Sequence, residues 1–87
     1  MEVWEFEEAA WRVDHVRVVV RAPKRTAVED FEWVNAYDEK AKVTSYIRTR
    51  LSPKIGDHEV SIYDGRGFEP NGNMYIRRVR TSYREAE

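Results

Sequence analysis

The stretch "NMYIRRVRTSY", residues 73–83, decides the fold because it reads two ways. As a strand it sets Tyr75, Val79, Thr81 and Tyr83 on one face, with Arg77 breaking the alternation. As a helix capped by Asn73 it sets Ile76, Val79, Tyr83 and Ala86 at i, i+3, i+7 and i+10. β-branched and aromatic residues favour the strand, while the spacing favours the helix. Composition tips the reading to a strand, with the helix as the open alternative. On the strand, Arg78 and Arg80 share a face with Met74, Ile76 and Ser82, which makes a short basic stripe.

Immediately upstream, "DGRG" (64–67) and "PNGN" (70–73) are turn signals. Glycine at 65 and 67 suits positive φ, and Asn-Gly after a proline suits a tight turn. Alternate glycines beside Arg66 also resemble a phosphate cradle, but neither established glycine-rich phosphate motif is present. The stretch is read as a connector. Before it, "HEVSIY" (58–63) alternates as a strand stopped by Asp64-Gly65.

The clearest strand is "DHVRVVVRA", residues 14–22, with Val16, Val18 and Val20 on one face and Arg17, Val19 and Arg21 on the other. Val3, Glu5 and Glu7 alternating with Trp4 and Phe6 suggest a shorter strand. It would pair with the main one as a hairpin across Glu8 to Ala10, although Glu-Glu-Ala-Ala is equally helical. "TAVE" (26–29) matches a capping box. A helix from it would carry Val28, Phe31, Val34 and Tyr37 to an end near Asp38, with Glu29, Asp30 and Glu32 at the dipole's favoured end. Val43, Tyr46, Ile47 and Leu51 mark a second helix, ended by Pro53 and Gly56. Whether residues 27–52 are one helix or two stays open. The expected fold is therefore α+β, a mostly antiparallel sheet of three to four strands against one or two helices, in the order β-β-α-α-β-β.

At 87 residues the chain fits a single domain, 1–87, with a thin core and no cysteine to reinforce it. Three tryptophans, three phenylalanines and five tyrosines supply dense aromatic packing instead. The absence of cysteine excludes disulfides and cysteine-rich zinc sites and fits a cytoplasmic protein. The acidic start "MEVWEFEE" lacks the pattern of a signal peptide, and the longest apolar run, Val18 to Val20, is far too short to span a membrane.

Net charge is −1, but it is arranged in blocks. Residues 1–11 are acidic (Glu2, Glu5, Glu7, Glu8) and residues 12–25 are basic apart from Asp14. Residues 26–40 turn acidic again, and residues 41–54 carry only Lys42, Arg48, Arg50 and Lys54. Such blocks pair within one fold or between two copies, whereas a nucleic-acid coat usually carries net positive charge.

His15 and His58 each follow an aspartate, but neighbours on a strand point to opposite faces, so Asp14 does not orient His15. Two histidines at this spacing match no metal-ligand pattern, and Ser45, Ser52, Ser61 and Ser82 lack a nucleophile signature. No catalytic residue, cofactor or metal is expected. The candidate interface residues are Tyr75, Arg77, Arg78, Arg80, Tyr83 and Arg84, joined by Trp4 and Trp11. Arginine and tyrosine are enriched in protein hot spots; they also grip phosphate and stack on bases. The expected function is a non-catalytic protein-interaction or regulatory module that self-associates or joins a larger assembly. A nucleic-acid binder built on the C-terminal Arg/Tyr cluster is the alternative, and no membrane partner is expected.

Overall fold

Glu5 reaches back to the backbone amide of Glu2 at 2.9 Å and so opens the first helix, α1 (Val3–Asp14). In this computed structural model, which describes residues 1–86, α1 stands where a strand was expected. The apparent alternation at residues 3–7 is overruled by a longer pattern. Val3, Phe6 and Ala10 form an i, i+3, i+7 stripe that is wholly buried, and Ala9 lies beside it. Glu-Glu-Ala-Ala, among the better helix formers, carries the chain through its middle.

β1 (Arg17–Val20) follows the first helix directly after His15 and Val16, and β2 (Val60–Tyr63) comes much later in the chain. They pair antiparallel, with Arg17 opposite Tyr63 and Val20 opposite Val60. Val16, Val18 and Val20 point into the core as the alternation predicts. Side chains complete the hydrogen bonding of β1 at two amides. Glu7 accepts from the Val20 amide at 2.8 Å, and the Tyr83 hydroxyl accepts from the Arg17 amide at 2.8 Å. That hydroxyl also donates to the Tyr63 carbonyl at 2.6 Å, bridging the open end of the ladder.

The expected helix from Thr26 does not form. The segment runs extended, and its carbonyls satisfy the first amides of α1: Val3 donates to Thr26 at 2.9 Å and Trp4 to Lys24 at 3.0 Å. Ala27 bridges Glu2, and the Val28 amide donates to Met1 at 2.8 Å. A helix start leaves four free donors, and here a neighbouring strand-like segment takes two of them. Val28, Phe31, Trp33, Val34 and Asn35 are also weak helix formers, so little propensity is lost. Phe31 plugs the core instead, edge-on to Phe6 at 5.4 Å and to Trp33 at 5.1 Å.

Helix α2 (Val43–Tyr46) continues into a π-helical turn (Ile47–Leu51) and a 3₁₀ turn (Ser52–Lys54) that contains Pro53. Residues 27–52 thus hold one helical segment, in the second half. Helix α3 (Ile76–Glu85) replaces the expected C-terminal strand. Ile76, Val79 and Tyr83 are its buried stripe, and its N-cap is Tyr75 rather than Asn73. The starts of α2 and α3 cap each other. Val43 and Thr44 donate to the carbonyls of Met74 and Gly72, while Ile76 and Arg77 donate to those of Ala41 and Glu39, all at 2.9–3.0 Å. A Cβ on Gly72 would lie 2.3 Å from the Thr44 hydroxyl, so a larger residue there would force that side chain to turn away from the Gly72 carbonyl it donates to. Gly65 is likewise needed for close approach, not for positive φ. A Cβ there would meet the Ser82 carbonyl oxygen at 2.1 Å, and only Gly67 of the "DGRG" pair has positive φ.

The result is a small α+β domain, but among the described residues its order is α-β-α-β-α with a two-stranded sheet. The expected three to four strands in the order β-β-α-α-β-β are overturned, because both flanking segments are helices. The buried side chains form one continuous cluster.

At its centre lies Asp14, which is fully buried at the end of α1. Its carboxylate accepts from the Tyr37 amide at 2.9 Å, the Tyr46 hydroxyl at 2.8 Å and the Arg50 guanidinium at 2.5 Å. Its carbonyl accepts from Arg80 at 2.8 Å. Breaking a buried ion pair by removing one partner costs about 3–5 kcal/mol. Asp14→Ala is therefore expected to lower the urea midpoint by that equivalent; a shift under about 0.5 kcal/mol would contradict the central role given to this residue.

Burial, reinforced by the neighbouring Asp14 carboxylate, pushes the Tyr46 phenol far above its usual range, and burial raises Tyr83 as well. The folded protein thus keeps protons that the unfolded chain releases from about pH 10. The contribution of both tyrosines is fully present below about pH 10 and is lost as pH rises above it. Alkaline titration should show tyrosinate absorbance from these two residues appearing with loss of the helical circular dichroism. Appearance well before unfolding would refute this.

Candidate recognition surface

Helix geometry divides the arginine cluster. At about 100° per residue, Arg77 and Arg84 leave one flank of α3, Arg78 leaves the other, and Arg80 and Tyr83 turn inward. Arg80 holds the carbonyls of Asp14 and Tyr37 at 2.8 and 3.0 Å. Tyr83 is buried and spans β1 and β2 through its hydroxyl. These two expected interface residues are parts of the core's wiring. The basic stripe expected from Arg78 and Arg80 on one strand face does not exist.

The exposed members form two separate patches. Arg77 lies over the ring of Tyr75 at 5.5 Å, and both line a groove of about 250 Å³ with Lys40. Arg78 lines another, of about 320 Å³, with Asp64, Arg66, Met74, Ser82, Glu85 and Ala86. Both Arg77 and Arg78 occupy the first turn of α3, where no acidic residue offsets the helix dipole. Among the described residues, no carboxylate lies within 4 Å of the charged ends of either arginine.

The tryptophans give a more coherent surface. Trp4 and Trp11 are seven residues apart, two turns of α1, and so lie along one stripe. They are 45% and 44% exposed, unusual for the largest apolar side chain. Neither is loose. Trp4 donates its indole N–H to Glu2 at 2.8 Å. Trp11 stands edge-on to Tyr83 at 5.1 Å, and the Arg17 guanidinium lies 6.0 Å from Trp11 and 5.3 Å from Tyr83. Beside the tryptophans on the outer side of α1 are Glu5, Glu8 and Arg12, which a strand reading of residues 3–7 could not group with them. The seven-residue spacing of the tryptophans was the available signal.

The buried titratable groups form a closed cluster. Asp14, Tyr46 and Arg50 converge, but Asp14 and Tyr46 are sealed from solvent and each buried polar atom has a partner. His15 does not stand on a strand; it ends α1 in the left-handed conformation (φ 56°) and is exposed. Among the described residues no group of three or more metal-ligating side chains comes together, and no helix is long and apolar enough to cross a membrane. No family model, curated protein or solved structure matches the chain.

The division of the arginines is testable through stability. Arg80→Ala should cost about 2 kcal/mol, since charged hydrogen bonds to two carbonyls are lost. Arg77→Gln and Arg78→Gln should each raise stability by about 0.3–1 kcal/mol at low salt, by relieving the dipole. Equal losses at all three positions in urea titrations would show that the cluster is not divided in this way.

Proposed function

We propose that this chain is a non-catalytic protein-interaction module whose docking surface is the outer face of α1. The observation that carries the reading is the pair of half-exposed tryptophans, Trp4 and Trp11, on one helix stripe and fixed in place by polar and aromatic neighbours. Large aromatic anchors that are ordered before binding lose little side-chain entropy on docking and commonly carry much of an interface's energy. Arg17 stacked at the end of the stripe adds an adaptable charged edge. The absence of cysteine fits a cytoplasmic setting.

The nucleic-acid alternative has less support. It called on Arg77, Arg78, Arg80 and the nearby tyrosines, of which Arg80 and Tyr83 are engaged inside the fold, while Arg77 with Tyr75 and Arg78 line separate grooves.

A photo-crosslinking amino acid in place of Trp11 should yield protein adducts in cells. The same group at Arg48, exposed on the π-helical turn, should yield few. Adducts to RNA or DNA, or equal protein adducts from both positions, would count against the reading.

A further inference from the structure

The charges on the outer face of α1 have an internal symmetry. Trp4 and Trp11 lie on one flank, within about 20° of each other around the helix, and Glu5 and Arg12 lie on the other flank with the same seven-residue separation. Glu8 runs between the flanks. The midpoint of the first pair falls between Glu7 and Glu8, and that of the second between Glu8 and Ala9. Other acids of the helix are already engaged: Glu7 holds Lys24 and the Val20 amide, and Glu2 holds Trp4 and Arg25. Glu5 uses one oxygen on the Glu2 amide.

We propose that the chain pairs with a second copy of itself, α1 against α1, antiparallel about a two-fold axis at Glu8. This rests on reading the α1 face as the docking surface. In a two-fold antiparallel pair each flank meets its own counterpart, reversed in direction. One axis therefore sets Trp4 of each copy against Trp11 of the other, and Glu5 of each against Arg12 of the other. Apolar complementarity and charge complementarity are satisfied together, and neither would be by a parallel arrangement. The cost falls at the axis, where the two Glu8 carboxylates approach. A helix of 12 residues is about 18 Å long, so the contact is smaller than a standard interface and the dimer is weak and concentration-dependent.

Sedimentation velocity of the full chain, from micromolar to about 1 mM, tests this. The wild type should shift from monomer to dimer across that range. Trp4→Ala should weaken association at least about tenfold, and Arg12→Glu about tenfold. Adding Glu5→Arg to Arg12→Glu should restore much of the loss, since the exchanged charges still oppose each other. Glu5→Arg also removes a capping contact, so circular dichroism must accompany it. Glu8→Ala avoids that complication and should tighten the dimer several-fold, a gain that damage to the fold does not produce. A strict monomer at 1 mM would overturn the self-pairing, and so would a dimer indifferent to Trp4→Ala and Glu8→Ala. In either case the interaction-module reading is judged separately by the Trp11 crosslinks: adducts to a different protein would preserve it, and none would remove it.

Discussion

The carboxylate of Asp14 is the point on which this small fold depends. It is fully buried, and it receives donors from an otherwise irregular segment (Tyr37), from α2 (Tyr46) and from the π-helical turn (Arg50). The backbone carbonyl of the same residue holds Arg80 of α3. One position therefore ties α1 to α2, the π-helical turn and α3. The Arg50 guanidinium extends the cluster, lying over the rings of Trp33 and Tyr37 at 5.2 and 5.1 Å and donating to the Asn35 carbonyl. A charge in a protein interior is tolerable only when it is paired and hydrogen-bonded, and here both carboxylate oxygens have partners. The long stretch between β1 and α2 has no regular structure, and this wiring gives it a defined path.

A second constraint is how the helix starts are satisfied. Side-chain caps are scarce, and backbone from elsewhere does the work: residues 24–26 for α1, residues 72–74 for α2 and residues 39–41 for α3. Each of these contacts is long-range. Propensity and spacing are local, so a capping-box pattern such as Thr26 to Glu29 can be present and still lose to an alternative use of the same carbonyls. That is why the expected first helix is an extended segment.

The core strands were legible for a corresponding reason. Val16, Val18 and Val20 alternate strictly, and a one-residue slip would expose all three. Val43, Tyr46 and Leu51 likewise showed their helical face. The two ends of the chain misled because each offered a short β-like window inside a longer helical stripe. At residues 3–7 the buried stripe of Val3, Phe6 and Ala10 runs past the window, whereas in residues 73–83 the helical spacing was visible and β-branched and aromatic composition outweighed it. The same misreading scattered the candidate site. Trp4 and Trp11 were singled out, but the helix that aligns them was missed, and with it Glu5, Glu8 and Arg12. Arg80 and Tyr83 were chosen for their chemistry, which the fold uses for itself.

The contrast between the two kinds of arginine on α3 bears on where recognition sits. Arg80 is held by two carbonyls, and its charge is spent on joining α3 to α1 and the Tyr37 segment. Arg77 and Arg78 oppose the dipole of their own helix and hold no ion partner among the described residues, so stability alone does not account for their presence. Yet they stand about 100° apart around α3 and line separate grooves. On α1 the situation is reversed: its unusual exposed groups converge. Two tryptophans that a monomer would gain by burying are instead held half in solvent, one by Glu2 and the other by Tyr83 and Arg17. Tyr83 is the same residue that closes the β1–β2 ladder, so the position of Trp11 is fixed by the core itself. A surface anchored so directly to the scaffold would meet a partner without rearranging, and this is why the proposed recognition is placed on α1.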